Sequence, residues 1–118
     1  MIFCLAKHFM KTVIASTGNT LDSKVDGRFG RCAFFVIYDT ETGSTEFIPN
    51  PHKDDEGVAG LAAVQLIASK GARQVVSGEF GIKIKSLLDS QGVQMILLQN
   101  EGITISEIID LLNHKSQE

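Results

Sequence analysis

No apolar run in the chain approaches the roughly 20 residues needed to span a bilayer. The longest, from Cys32 to Tyr38, is of strand length, so a soluble protein with no membrane partner is expected. A basic excess is also missing, with 11 Lys and Arg against 14 Asp and Glu, a net charge of −3. Binding to a phosphate backbone generally needs that excess, so nucleic acid is not an expected partner. Cysteine is scarce: Cys4 and Cys32 lie far apart without CxxC spacing, which fits a reducing compartment, the cytoplasm by default, better than a disulfide scaffold. Only two prolines occur, and 43% of the residues are apolar, which excludes collagen-like repeats and disorder.

At 118 residues the chain has the size of one domain with one hydrophobic core. The opening Met1-Ile2-Phe3-Cys4-Leu5-Ala6 is apolar, but no cation precedes it and no small-residue cleavage site follows, so it does not read as a signal peptide. Met10 runs straight into a strand pattern. Residues 1–9 are therefore expected to be a tail or an extended start, 10–114 a single domain, and 115–118 a frayed end.

Residues 11–16 form a short strand candidate that ends in the turn-forming Thr17-Gly18-Asn19, followed by a polar loop to Arg31. Ala33-Phe34-Phe35-Val36-Ile37-Tyr38 is uninterruptedly apolar and β-rich, the pattern of a central strand covered on both faces. Turn chemistry over 39–43 and alternation over 44–48 complete an antiparallel hairpin, whose second strand Pro49 assigns to a sheet edge. Beyond the polar loop 50–56, the pattern predicts a helix over 57–70, a buried strand over 74–77, a helix over 81–91 and a strand over 93–98. Thr104-Ile105-Ser106-Glu107 is a capping box that opens a last helix, with Ile105, Ile108, Ile109 and Leu112 on one face. Because parallel strands need crossover helices, this order predicts an α/β fold with a mixed sheet and helices on its faces.

In open α/β sheets, ligands gather beyond the carboxyl ends of parallel strands. Three loops qualify: 17–19, 77–81 and 99–102. The middle one, Ser77-Gly78-Glu79-Phe80-Gly81, ends at a helix N-terminus, where unpaired N–H groups favour an anion, although Gly78 and Gly81 also suit a sharp turn with no ligand. In Asp26-Gly27-Arg28-Phe29-Gly30-Arg31-Cys32, two arginines flank a glycine and the second precedes the cysteine. Neighbouring cations lower a thiol pKa, and thiolate is both nucleophile and soft-metal ligand; the alternative is a small buried residue at a strand start. His52 is a candidate second ligand through neutral imidazole, or a solvated loop residue. His8 and His114 read as tail and surface residues.

The block Arg28-Phe29-Gly30-Arg31-Cys32-Ala33-Phe34-Phe35, the turn Asp39-Thr40-Glu41-Thr42-Gly43, the corner Phe47-Ile48-Pro49-Asn50-Pro51 and the Ser77 to Gly81 turn together resemble the dinitrogenase iron-molybdenum cofactor biosynthesis family, that of NifX-like proteins and the NifB C-terminal domain. The likeness runs over residues 11–112. It implies a ribonuclease H-like three-layer α/β/α sandwich with a mixed five-stranded sheet. It also implies a role in binding, carrying or inserting an iron-sulfur-type cluster or iron-molybdenum cofactor precursor, with a cofactor-assembly or acceptor protein as partner. A [4Fe–4S] cluster built on the protein takes four thiolates, more than Cys4 and Cys32 supply. A preassembled cluster needs fewer anchors. On that reading Cys32 is the soft ligand, Arg28 and Arg31 are charge partners beside Gly30, Gly78 and Gly81 flank an N–H donor set, and His52 is a second metal ligand.

An enzyme is not expected. Neither 11–16 nor 74–77 carries the acids of a two-metal nuclease, and Cys32 has only His52 as a prospective base, with no orienting group. The competing expectation is a general metal-binding, anion-binding or regulatory module of the same fold, unconnected to nitrogenase.

Overall fold

The sheet has five strands in the order β3-β2-β1-β4-β5, built from β1 (Lys11–Ser16), β2 (Phe34–Asp39), β3 (Thr45–Pro49), β4 (Gln74–Ser77) and β5 (Gln94–Leu97). The computed structural model describes residues 11–54, 59–98 and 102–116. Among the described residues three helices, α1 (Ala59–Ser69), α2 (Ile82–Ser90) and α3 (Ile105–Ser116), link and cover the strands. β1 pairs antiparallel with β2, and β2 with β3; β1 pairs parallel with β4, and β4 with β5. The mixed sheet follows from connection length. The short turn between β2 and β3 can only reverse the chain, the long 17–33 connection returns β2 antiparallel to β1, and β4 and β5 are each reached through a helix that carries the chain back. Pro49 lies in edge strand β3, as its missing N–H requires.

Both faces of the sheet are covered. Val13, Ala15, Phe35, Ile37 and Val75 pack with Ala63, Val64 and Ile67 of α1 and Leu88 of α2. The alternate residues Ile14, Val36, Tyr38 and Val76 pack with Ile105, Ile108 and Leu112 of α3. The period of two along each strand sends successive side chains into opposite layers, which is why β2 is apolar without interruption from Phe34 to Tyr38 and why β1 and β4 bury consecutive residues. The capping box is formed: Glu107 N–H donates to Thr104 Oγ1 at 3.2 Å, and Thr104 N–H to Glu107 Oε1 at 2.9 Å. Differences from expectation are confined to element ends. β2 starts at Phe34 and not Ala33, α2 occupies Ile82–Ser90 with Gly81 as its N-cap, and β5 is shorter at both ends.

Candidate functional site

The carboxyl ends of β1 and β4 meet the loop 17–31, which lies across the sheet edge and is pinned there by its backbone. Asp26 N–H donates to Ala15 O at 2.8 Å, and Asp26 O accepts Gly78 N–H at 3.2 Å, so this one residue bridges the ends of the two strands. On its far side Val25 N–H donates to Ile103 O, and Ile105 N–H to Ser23 O. The starts of α1, α2 and α3 all adjoin this edge, through the approach of Gly30 to Gly60, the turn after β4 and the Ser23 contact. Their positive dipole ends raise the potential there.

Gly78 serves this closure. A Cβ on it would lie 2.5 Å from the Gly27 Cα, so the loop reaches β4 only because no side chain intervenes. Its N–H is engaged by Asp26, which corrects the expectation of an anion-binding donor at Gly78. Gly81 is an exposed N-cap without a side-chain cap hydrogen bond, and it is not among the residues lining the cationic pocket described below.

The block from Arg28 to Cys32 folds as a tight arch. Gly30 takes φ +91, and a Cβ there would lie 3.0 Å from the Gly60 Cα, so both conformation and space demand glycine. Phe29 points inward, its ring centroid 5.4 Å from Phe80 and 6.2 Å from Phe35. Burying that ring anchors the arch and leaves the arginines on either side exposed. Asp26 Oδ1 accepts the Arg28 N–H at 2.9 Å and lies 3.5 Å from Arg28 Nε.

Cys32 does not behave as the flanking arginines suggest. It is 0% exposed within the core, and burial, reinforced by the Asp26 carboxylate, pushes its thiol from 9.0 up to about 12. The expectation of a depressed pKa is therefore corrected: Arg28 and Arg31 point into solvent, and the nearest resolved charge effect on the thiol comes from an acid. Native protein should leave Cys32 unlabelled by a thiol reagent at pH 8, with full labelling after denaturation. A raised native pKa also means that the unfolded chain loses its proton first as pH rises. The stabilisation from the buried thiol is complete below pH 9 and falls by about 1.4 kcal/mol per pH unit towards 12. Denaturant midpoints measured between pH 8 and 11, with Cys32→Ala as the comparison, check this.

Two cavities adjoin the arch. The first, about 270 Å³, is lined by Thr17, Asp26, Arg28, Arg31, Ala33, Lys53 and Asp54. Three cations face two acids, one of which, Asp26, is already paired with Arg28, so the pocket favours an anion although the whole chain is acidic. The second, about 420 Å³, is a groove between β3 and α1 with an apolar floor that includes Phe35, Ile48, Ala63 and Leu66. His52 is exposed and lines this groove and not the cationic pocket, so the structure does not bring it together with Arg28 and Arg31. Among the described residues, no group of three or more His, Cys, Asp or Glu is arranged to hold a metal ion. Cys4, His8 and most of the 99–102 loop lie outside the described residues, as does the side chain of His114.

Lys53 and Asp54 were not anticipated as pocket residues. The hairpin register contains the signal that finds them: Phe34 pairs with Pro49, so residues following 49 run beside those preceding 34, which brings Lys53 next to Arg31.

The match of a family model described as dinitrogenase iron-molybdenum cofactor spans residues 10–115. The chain belongs to that family. Two solved structures are similar to it. The apo form of the orange protein from Desulfovibrio gigas is 29% identical, over 92% of this chain and 91% of that one, with a TM-score of 0.82. A Thermotoga protein put forward as a NifB protein of the DUF35 family is 34% identical, over 91% of this chain and 90% of its own, with a TM-score of 0.76. Among curated proteins, none matches the chain. The family likeness covers the arch, the cationic pocket, α1, α2 and nearly all of α3, and it makes this a small cofactor-related protein. No described helix is long and apolar enough to cross a membrane.

Proposed function

We propose that this protein binds and carries an anionic metal-sulfur cargo, an iron-sulfur-type cofactor or a precursor of iron-molybdenum cofactor, in the cytoplasm and without catalysing a reaction. The observation that carries the reading is the convergence of Arg28, Arg31 and Lys53 on one polar pocket beside the family's arginine-cysteine arch. The cargo is held by charge and hydrogen bonds. A thiol buried to 0% exposure and titrating at about 12 does not supply a thiolate, so Cys32 supports the arch from below and does not ligate in this conformation. Retention by charge suits a carrier, because a cargo without a protein bond to its metal leaves without ligand exchange. An assembly or acceptor protein then receives it.

The test is an anaerobic titration with a synthetic thiolate-capped [4Fe–4S] dianion, read by visible absorption and iron content after gel filtration. Stoichiometric co-elution at low salt, weakened by added salt and retained in Cys32→Ser, is the expected result. No retention by the wild type at low salt overturns the reading. Retention that disappears in a folded Cys32→Ser restores coordination through sulfur. The absence of a metal-holding side-chain group among the described residues also favours a second reading, a small-anion-binding or regulatory module unconnected to nitrogenase. Binding of inorganic anions in preference to the cluster would support it.

A further inference from the structure

We infer that Asn50 is a positioning residue that sets the width of the cationic pocket, an inference that rests on the anion-carrier reading above. Asn50 is buried, 7% exposed, immediately after edge strand β3. Its Nδ2 donates to Gly30 O at 2.8 Å and to Cys32 O at 2.9 Å. Its Oδ1 accepts the His52 N–H at 3.1 Å, and its own N–H donates to Ala33 O at 3.0 Å. Both amide protons and the amide oxygen are therefore engaged. The reversed amide would set its oxygen against two carbonyls and its NH2 against an N–H, so the orientation is unambiguous.

These bonds reach both walls of the pocket. The carbonyls of Gly30 and Cys32 bracket Arg31, so anchoring both fixes the backbone from which the Arg31 side chain leaves. The bond to His52 N–H fixes the turn that continues into Lys53 and Asp54 on the opposite wall. One buried side chain thus holds the two cationic walls at a set distance. Arg28 is held by its pairing with Asp26, whereas the exposed Arg31 guanidinium and Lys53 ammonium have no comparable side-chain anchor among the described residues, so their spacing depends on the backbone beneath them. Asn50 touches no solvent-facing part of an anion and acts through Arg31 and Lys53.

The experiment is a double-mutant cycle with the thiolate-capped [4Fe–4S] dianion as probe. In the wild-type background Asn50→Ala should weaken binding about tenfold or more. In an Arg31→Gln, Lys53→Gln background it should change binding less than about twofold, because the groups it positions are gone. An equal loss in both backgrounds, which a purely structural defect gives, overturns the inference, as does no loss in the wild type. Should Asn50→Ala fail to fold, Asn50→Ser, which keeps one donor, takes its place in the same cycle. A second readout needs no ligand: amide hydrogen exchange at His52 and labelling of Cys32, read by peptide mapping, should both accelerate in the Asn50 variant. Failure of the wild type to bind the probe counts against the carrier reading. Unchanged exchange and labelling in the variant counts against Asn50.

Discussion

Reversing two charges together, Arg31→Glu with Lys53→Glu, is expected to abolish stoichiometric retention of the anionic cluster. The pocket holds three cations and two acids, so the double reversal takes its formal charge from plus one to minus three. A hydrogen bond to a charged partner contributes about 1.5–3 kcal/mol. Losing two such contacts and replacing them with repulsion should lower affinity by more than about a hundredfold. Arg31 and Lys53 are exposed, so unfolding free energy should change by less than about 1 kcal/mol. Arg28 is left in place because it pairs with the buried Asp26, and reversing it would confuse a binding effect with a folding one. Equilibrium titration at two ionic strengths checks the prediction. Wild-type binding should weaken with salt, and a variant that binds as tightly as the wild type would rule out this pocket.

Gly78→Val should have the largest effect on stability of any single substitution proposed for this chain. The added Cβ meets the Gly27 backbone at 2.5 Å, and backbone cannot rotate away as a flexible side chain would. Either β4 or the 17–31 loop must move, which breaks the Gly78 N–H to Asp26 O bond and loosens the bridge to Ala15. Overpacking of this kind costs about 3 kcal/mol or more, and for a domain of this size that lowers Tm by roughly 10 °C. Gly81→Ala is the control. The nearest atom to its Cβ is 4.0 Å away and its φ of −68 suits any residue, so the loss should stay below about 1 kcal/mol. Thermal unfolding followed by far-UV circular dichroism separates the two, and a small effect at Gly78 would mean that the loop does not rest on β4 as described.

Much of the fold was legible because its signals are local. The uninterrupted apolar run from Phe34 to Tyr38 demanded cover on both faces, and it lies between the α1/α2 layer and the α3 layer. Pro49 marked an edge strand through its missing donor, and the Thr104/Glu107 pair marked a helix start through a reciprocal hydrogen bond three residues long. The arginines of the arch were legible as a cationic feature for the same reason: they are close in sequence, and both line the pocket.

The chemistry of Cys32 was not legible, because sequence neighbours and spatial neighbours differ. Arg31 precedes it by one residue but faces solvent, whereas Asp26, six residues earlier, acts on the thiol after the chain has turned. Gly78 was equally ambiguous: a glycine before a helix reads as an anion cradle, and only the arrival of Gly27 from fifty residues away makes it a packing site. Asn50 belonged to a recognisable corner, but its partners at Gly30 and Cys32 are set by tertiary approach.

The sequence by itself determined the strand and helix order, the mixed sheet, the hairpin edge, the family and the presence of clustered arginines, since each follows from periodicity, turn chemistry or residue identity within a few positions. The tertiary structure alone decided that Cys32 is sealed and protonated, that Lys53 joins Arg28 and Arg31, that His52 faces a different cavity, and that Asn50 ties the pocket walls together. Burial, solvent screening and hydrogen-bond partners depend on which distant segments meet, and those meetings are consequences of the packed sheet edge as a whole.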